Sequence, residues 1–373
     1  MTLKKIKVLH LPIYNIGGVN SYVLNSWKFI DKSRFQFDFA TLNKTPLTFE
    51  AELREQGCKI HYISCYAEES KQKFTDELNA VFDENYDVVH IHTSLWRGFL
   101  INQIAMERNI PTVIIHAHST GIHVNDKTER EKLALIHNKN KSSISEKLGT
   151  HFCACSEAAA DWIFGNQVPM DKICILNNAI NIEEFSYKPT VRDEYRKKLS
   201  LEDSFVIGWV GMMRYPKNPE MVIEVFNGAC KAVSNAKLLL IGDGELREDV
   251  EKRVNDLGLS DKVLFLGNRN DVSALMQAMD VFILPSRFEG LPISLIEAQT
   301  AGLKCLTSEF VTKEAKITSN LKFMPYDNEV WVSKITDIYY SDYIRVDMSE
   351  EVAKSGYSVK EQIKILEGIY NNA

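Results

Sequence analysis

The feature that most constrains this chain is a rhythm that runs through it twice. In the first half, "IKVLHLP", "FQFDFAT", "DVVHIHT", "PTVIIHAHS" and "HFCACS" read as short apolar strands. Between them, "FTDELNAVFDENY", "GFLINQIAMERN" and "SEAAADWIFG" carry helical spacing. The pattern restarts after "ILNNAINIEEFSYKP". There "SFVIGWVG", "AKLLLIGDG", "KVLFLG", "DVFILP" and "LKCLTS" alternate with "PEMVIEVFNGACKAV", "ELREDVEKRVNDLGL" and "DVSALMQAM". Strands alternating with amphipathic helices imply parallel sheets covered by helices on both faces. The expected fold is therefore α/β, with two doubly wound domains. The junction is placed near Phe185–Pro189, where the rhythm lapses into charged, Pro-containing sequence. This gives a first domain over residues 1–185, a second over 186–356, and a final amphipathic helix in 357–373. A chain of 373 residues suits two such domains better than one.

Bulk properties exclude some functions. A net charge of -6 lacks the basic footprint of a general nucleic-acid binder, though it leaves room for a local basic pocket. The seven cysteines show no CxxC pair of the metal-binding kind and read as small buried thiols of a reducing cytoplasm. Cys153 and Cys155 stand at alternate positions of one strand. The apolar run at the N-terminus breaks at Pro12, too early for a secretion signal. No stretch reaches the roughly 18 apolar residues of a membrane-spanning helix. The chain is expected in the cytoplasm, or resting on a membrane without crossing it.

Ligands of open parallel sheets bind beyond the carboxyl ends of the strands, and two such sheets imply an interdomain cleft. The strand ends therefore supply the candidates. Gly17 and Gly18 follow the first strand, where bare backbone N–H groups can approach a phosphate, although any tight turn also uses glycine. They do not form a GxGxxG dinucleotide fingerprint. His116 and His118 end one strand and point to one side of it; His90 and His92 do the same on a neighbour. No acid or cysteine stands at ligand spacing, so hydrogen bonding to substrate, or for His90 and His92 equally a packing role, is expected rather than metal binding. Arg214 and Lys217, in "GMMRYPKN", could neutralise a diphosphate. Gly242 and Gly244, then Asn268 and Arg269, lie on loops of the same rim, where exposed backbone could read a nucleobase.

The most informative stretch is "SRFEGLPISLIEAQTAGL". Glu289 falls on the loop, and Glu297, eight residues on, lies inside the helix that follows. An acid within a near-continuous apolar run is partly buried and needs a partner. The two hydroxyls of a ribose would serve. The free N–H groups at the helix start, from Ile293 through Ser294 to Leu295, face a diphosphate well.

At these residues the chain resembles the GT-B retaining glycosyltransferases of family 4, whose Glu-x7-Glu motif is matched by "EGLPISLIEA". "IGDGEL", "LGNRNDV", "ILNNAINIEEF", "GGVNSYVLN" and "HAHS" extend the likeness over nearly the whole chain. It is similar in particular to bacterial capsule, exopolysaccharide and O-antigen enzymes. The resemblance implies two Rossmann-like domains and a nucleotide-sugar donor, a UDP-sugar first, held mainly by the second domain. It places Glu297 on the ribose, backbone near Arg269 on the base, and Lys217 with a nearby Arg on the diphosphate. Glu289, Gly290 and Leu291 would contact the sugar. From the first domain, His118 would reach the donor sugar, with His116 the alternative, and Gly17–Gly18 would lie near the diphosphate. It further implies retention at the anomeric carbon, no metal, no cofactor, and a C-terminal helix returning to the first domain. The acceptor would be a lipid-linked glycan at the inner membrane surface, where "KTEREKLALIHNKNKSSISEKLG" could meet headgroups or serve simply as a solvated helix. One departure stands out: the family's Arg after the glycine of "VGR" is Met212 here. Two rival readings are another enzyme on the same plan, such as a UDP-sugar epimerase, and a non-catalytic sugar-nucleotide-binding partner of a transferase.

Overall fold

The computed structural model describes residues 4–15, 17–122, 124, 126–289 and 291–372. It divides into two compact units, Met1–Ala179 with Val359–Ala373, and Ile180–Ser358. The chain's two passages between them are paired. The Ile180 N–H donates to the Tyr357 carbonyl at 2.9 Å, and Ile180 bridges Ser358. The boundary thus falls just before the sequence-based junction, because Phe185 packs into the core of the second unit.

The first unit holds seven parallel strands: β1 (Ile6–Ile13), β2 (Phe35–Thr41), β3 (Ile60–Tyr62), β4 (Val88–Thr93), β5 (Thr112–Ala117), β6 (His151–Ala154) and β7 (Ile173–Ile175). Their order is β3-β2-β1-β4-β5-β6-β7. The central strands are buried on both faces because helices cover both; Val8, Leu9, Val88, Val89, Ile114 and Ile115 are sealed from solvent. The helix Val359–Tyr370 packs on Gly18–Phe29 over one face, and Gln362 reaches the Asn177 carbonyl.

The second unit holds six parallel strands: β8 (Phe205–Val210), β9 (Ala236–Ile241), β10 (Val263–Gly267), β11 (Val281–Leu284), β12 (Lys304–Ser308) and β13 (Leu321–Met324). Their order is β10-β9-β8-β11-β12-β13. Helix Pro219–Ala232 starts with a proline whose missing N–H is no loss there, and buries Met221, Val222, Val225, Phe226 and Ala229. Trp209, Phe282 and Trp331 complete the core. Helix Pro189–Lys198, at the supposed junction, packs on helix Val272–Ala278.

Strand order reverses at β1/β4 in one unit and at β8/β11 in the other. At such switch points the loops part and leave room for a ligand. Around β8 the loops pack backbone to backbone. Gly242 has φ +122, and a Cβ there would sit 1.9 Å from the Gly211 carbonyl oxygen. Gly258 also has positive φ, +67, but faces open space. Gly242→Ala should therefore cost about 2 kcal/mol or more through overpacking, and Gly258→Ala only about 1 kcal/mol, the backbone term alone. Denaturant melts of the two variants check the difference.

Candidate functional site

In the second unit the loops after β8 and β11 are laced together. Asn218 adopts a left-handed conformation, φ 52, and its amide donates to the Pro285 carbonyl at 3.0 Å. The Arg287 N–H donates to the Pro216 carbonyl at 2.8 Å. The Arg287 guanidinium reaches the Tyr215 carbonyl at 2.7 Å and lies 4.3 Å from the centre of the Tyr215 ring. These contacts bring Lys217 and Glu289 together as an ion pair at 2.6 Å, both side chains largely buried. The lysine expected to face a diphosphate is thus neutralised by the acid expected to face a sugar. Spacing alone does not reveal the pair, since its members lie on different strand ends.

Glu297 lies on helix Ile293–Thr300, half-buried, and its carboxylate has no hydrogen bond or ion pair among the described residues. Burial raises its pKa to about 8; Glu184 adds to the rise, and Lys217 opposes it. At the helix start, Leu295 is not free as expected. Its N–H donates to the carbonyl of the capping residue Pro292 at 3.0 Å, a three-residue bond that tightens the first turn. The open N–H positions of that first turn narrow to Ile293 and Ser294, both half-buried. Leu291 is 7% exposed and packs into the core, so only its backbone can meet a ligand. Gly290 lies outside the described residues.

Elsewhere on this rim, Asn268 and Arg269 are exposed. Arg269 makes a two-pronged pair with Asp271, both contacts at 2.7 Å, and this guanidinium holds the Asp271 pKa down at about 2. Its charge is occupied, and its backbone remains the part that could meet a base. Gly242 bridges Gly267 and donates to its carbonyl at 2.8 Å. Arg214 is half-buried, and its Nε has no partner at hydrogen-bond distance.

In the first unit, Gly17, φ 126, caps helix Gly18–Phe29. Both glycines sit where open backbone could face an anion. The histidines form a network wider than the sequence indicates. His10 on β1 joins His90 and His92 on β4, His116 at the end of β5, and His118 just beyond it. The pairs are His10 Nδ1 to His92 Nε2 at 3.0 Å, His92 Nδ1 to His118 Nε2 at 2.9 Å, and His90 Nε2 to His116 Nδ1 at 3.1 Å. The Tyr370 hydroxyl meets His90 Nδ1 at 2.8 Å, and the Tyr22 ring stands edge-on to His116 at 4.7 Å. Burial lowers the pKa of every member, His10 and His118 to about 3, with neighbouring imidazoles adding to the fall at His10, His90, His92 and His116. All are neutral at ordinary pH. Each ring then donates through one nitrogen only, so the His10–His92–His118 chain must run in a single direction. His116 is sealed from solvent and His118 is half-buried, so His118 is the member of the pair that a ligand can reach.

Buried side-chain polar atoms without a partner are concentrated at these two places. Of ten among the described residues, Trp209 Nε1, Arg214 Nε, Asn218 Oδ1 and Ser286 Oγ cluster at the β8/β11 switch point. His10, Tyr22, His116, His118 and Asn178 supply five at the imidazole network; Thr112 is the tenth. By contrast, a cavity of about 400 Å³ lined by Arg192, Arg196 and Arg345 offers little free charge. Its guanidiniums already donate to Asp280 and to carbonyls including those of Gln277, Ala278 and Met279.

Each unit is a parallel sheet with polar groups gathered at its switch point, and comparisons with known proteins identify the family. Residues 17–179 match the model of a glycosyl transferase 4-like domain, and residues 191–355 that of the glycosyl transferases group 1. EpsF of Bacillus subtilis (strain 168), named as a glycosyltransferase, is 27% identical over 100% of this chain and 98% of its own length. The Escherichia coli UDP-Gal:alpha-D-GlcNAc-diphosphoundecaprenol alpha-1,3-galactosyltransferase is 26% identical over 82% of this chain and 80% of its own. Among solved structures, Anabaena Alr3699/HepE, in complex with UDP and glucose, superposes with a TM-score of 0.78. It is 15% identical and covers 99% of this chain and 100% of that one. The chain belongs to the GT-B glycosyltransferases of the family 4 type.

The Glu297 carboxyl gives a pH test. Its pKa rises from 4.5 to about 8 on folding, so the folded protein holds a proton that the unfolded chain releases between those values. Stability from this group is full below pH 4.5 and is lost as pH rises through about 8. Glu297→Gln should melt with wild type near pH 4.5 and several degrees above it beyond pH 8, as read by thermal denaturation across that range.

Proposed function

We propose that the protein is a retaining glycosyltransferase that moves a hexose-type sugar from a nucleotide sugar, a UDP-sugar first, to a lipid-linked glycan during bacterial surface polysaccharide synthesis. The observation that carries this is the cluster of unpartnered buried polar atoms at the β8/β11 switch point, beside an unpartnered half-buried carboxyl at Glu297. Buried donors and acceptors without partners are costly unless a ligand completes them. A nucleoside diphosphate sugar matches them: hydroxyls for Glu297, and anionic oxygens for Arg214, Lys217 and the N–H groups of Ile293 and Ser294. The names of relatives support the same chemistry, with UDP-Gal and a diphosphoundecaprenol acceptor in one and UDP with glucose in another.

In this reading Glu297 accepts from the ribose, and backbone at Gly242, Asn268 and Arg269 meets the base. Lys217 leaves Glu289 to hold the departing diphosphate. Glu289, with Gly290 and Leu291 backbone, orients the sugar. His118 presents its accessible edge to a sugar hydroxyl, and Gly17 and Gly18 offer backbone N–H groups to phosphate. The transition state is oxocarbenium-like, so stabilising the leaving diphosphate matters more than a strong base. That phosphate, close to the acceptor hydroxyl, takes its proton. No metal or cofactor is needed for the transfer. The protein would act at the cytoplasmic face of the membrane, its helix Lys127–Lys141 exposing Leu135 among lysines. Two observations favour a second reading, a non-catalytic binding partner: Met212 stands where the family's arginine is expected, and Lys217 is already neutralised.

Two measurements test this. Binding of UDP, GDP, ADP and their sugars, followed by transfer to undecaprenyl-linked acceptors, should show UDP binding that Glu297→Ala loses, and turnover with one UDP-sugar. Binding without turnover across the panel would establish the second reading, and no nucleotide binding would refute both. The Lys217–Glu289 pair should split binding from chemistry. Lys217→Ala should weaken UDP binding about ten- to hundredfold, the worth of a charge-assisted hydrogen bond. Glu289→Gln, by releasing Lys217, should bind UDP at least as tightly as wild type while kcat falls by about a hundredfold. Near-normal turnover in Glu289→Gln would remove this residue from the mechanism.

A further inference from the structure

The imidazole network of the first unit exceeds what donor binding asks of it. One accessible histidine would serve a sugar, and the other four are buried among hydrophobic side chains. We infer that His92, His116 and His118 form a binding site for a single borderline d-block cation, zinc being the natural occupant.

The placement carries this. His116 and His118 stand two apart at the end of β5 and present both rings to one side, and His92 on β4 is the direct register partner of His116. An i, i+2 histidine pair with a third histidine on the adjacent strand converges three rings on one point. One nitrogen from each of the three lies within 4.8 Å of the others. Two of these rings, His92 and His118, already approach to 2.9 Å. Tetrahedral zinc at about 2.0–2.1 Å from each nitrogen needs its ligand atoms about 3.3 Å apart, so modest ring rotation closes the set. His116 Nε2 and His118 Nδ1 make no hydrogen bond of normal length, although the Leu176 backbone and the Asn178 side chain lie close to them. Metal binding gives up one of the two imidazole contacts of His92, and the new bond to the ion replaces it. A second convergent set, His10, His90 and His92, is sealed on every side, whereas His118 gives the first set a path from solvent. Three imidazoles leave a fourth position open, and an all-imidazole set suits zinc, copper or nickel rather than magnesium or calcium.

The site stands independently of the donor assignment. If His118 also meets the donor sugar as proposed above, the ion occupies that nitrogen, and metal and donor exclude each other.

The experiment uses the full chain, freed of any affinity tag and treated with chelator. Titration with Co²⁺ should develop visible d–d absorption saturating at one ion per chain, and Zn²⁺ should displace it and raise Tm. His118→Gln and His116→Gln, each shown by circular dichroism to be folded, should weaken binding at least about tenfold. His151→Gln, at the start of β6 and outside the cluster, should not. Absence of binding, or binding that survives both cluster variants, overturns the site. A near-ultraviolet thiolate-to-cobalt band would place the ion on cysteine and overturn it equally. Transfer assays then read the two assignments apart. Cobalt binding without inhibition keeps the metal site and removes His118 from the donor, while inhibition competitive with the donor supports both.

Discussion

A polar group taken out of water must find a partner inside the protein, and both units are arranged around that requirement. Parallel sheets buried on two faces leave few places for polar side chains. Where such side chains occur, they cross-link. In the second unit Asp280 gathers Arg192 at 2.5 Å, Arg196 at 3.2 Å and the Val206 N–H at 2.7 Å. Arg345 adds donors to the carbonyls that end helix Val272–Ala278, where the helix dipole is negative. Three guanidiniums against one carboxylate would repel each other elsewhere; here the exposed carbonyls absorb the excess charge. This fixes the rim of the sheet opposite the strand ends that carry the candidate site.

The switch points behave differently. There the pairing is incomplete, and the incompleteness is local. The Lys217–Glu289 pair closes on itself, Arg214 Nε is stranded, and Glu297 stays protonated over much of the neutral range because nothing nearby offers it a donor. Rigid lacing by Asn218 and Arg287 keeps the stranded groups in place. A protein that leaves polar groups unsatisfied on a stiff scaffold has organised them in advance for something else to complete.

Much of this was legible in the sequence. The two-fold restart of the strand–helix rhythm marked both sheets, and an acid inside an apolar helix marked Glu297. Several elements escaped. The strands β7, "ICI", and β13, "LKFM", are too short to show alternation. Helix Pro189–Lys198 buries only Arg196, so it has no apolar stripe to betray it. The Lys217–Glu289 pair depends on two loops that only the sheet order brings together. His10, on β1, was not among the candidates. Its membership of the network depends on register with β4, which no local pattern encodes. Leu295 was misjudged because its N–H closes a tight three-residue turn on the Pro292 carbonyl, which no sequence spacing shows.

The imidazole network also bears on how such a chain can change over generations. Each of the five rings meets another through at least one nitrogen, and those contacts fix an order of donors and acceptors. Replacing one by an apolar residue strands its neighbour, and replacing one by an acid places a charge in a sealed interior. Neutral drift through single substitutions is therefore blocked at these positions. Lineages that lose the network should lose it as a block, with His10, His90, His92, His116 and the distant Tyr370 exchanged together for apolar packing. Helix Val359–Tyr370 is thus tied to β4 through the Tyr370 hydroxyl on His90.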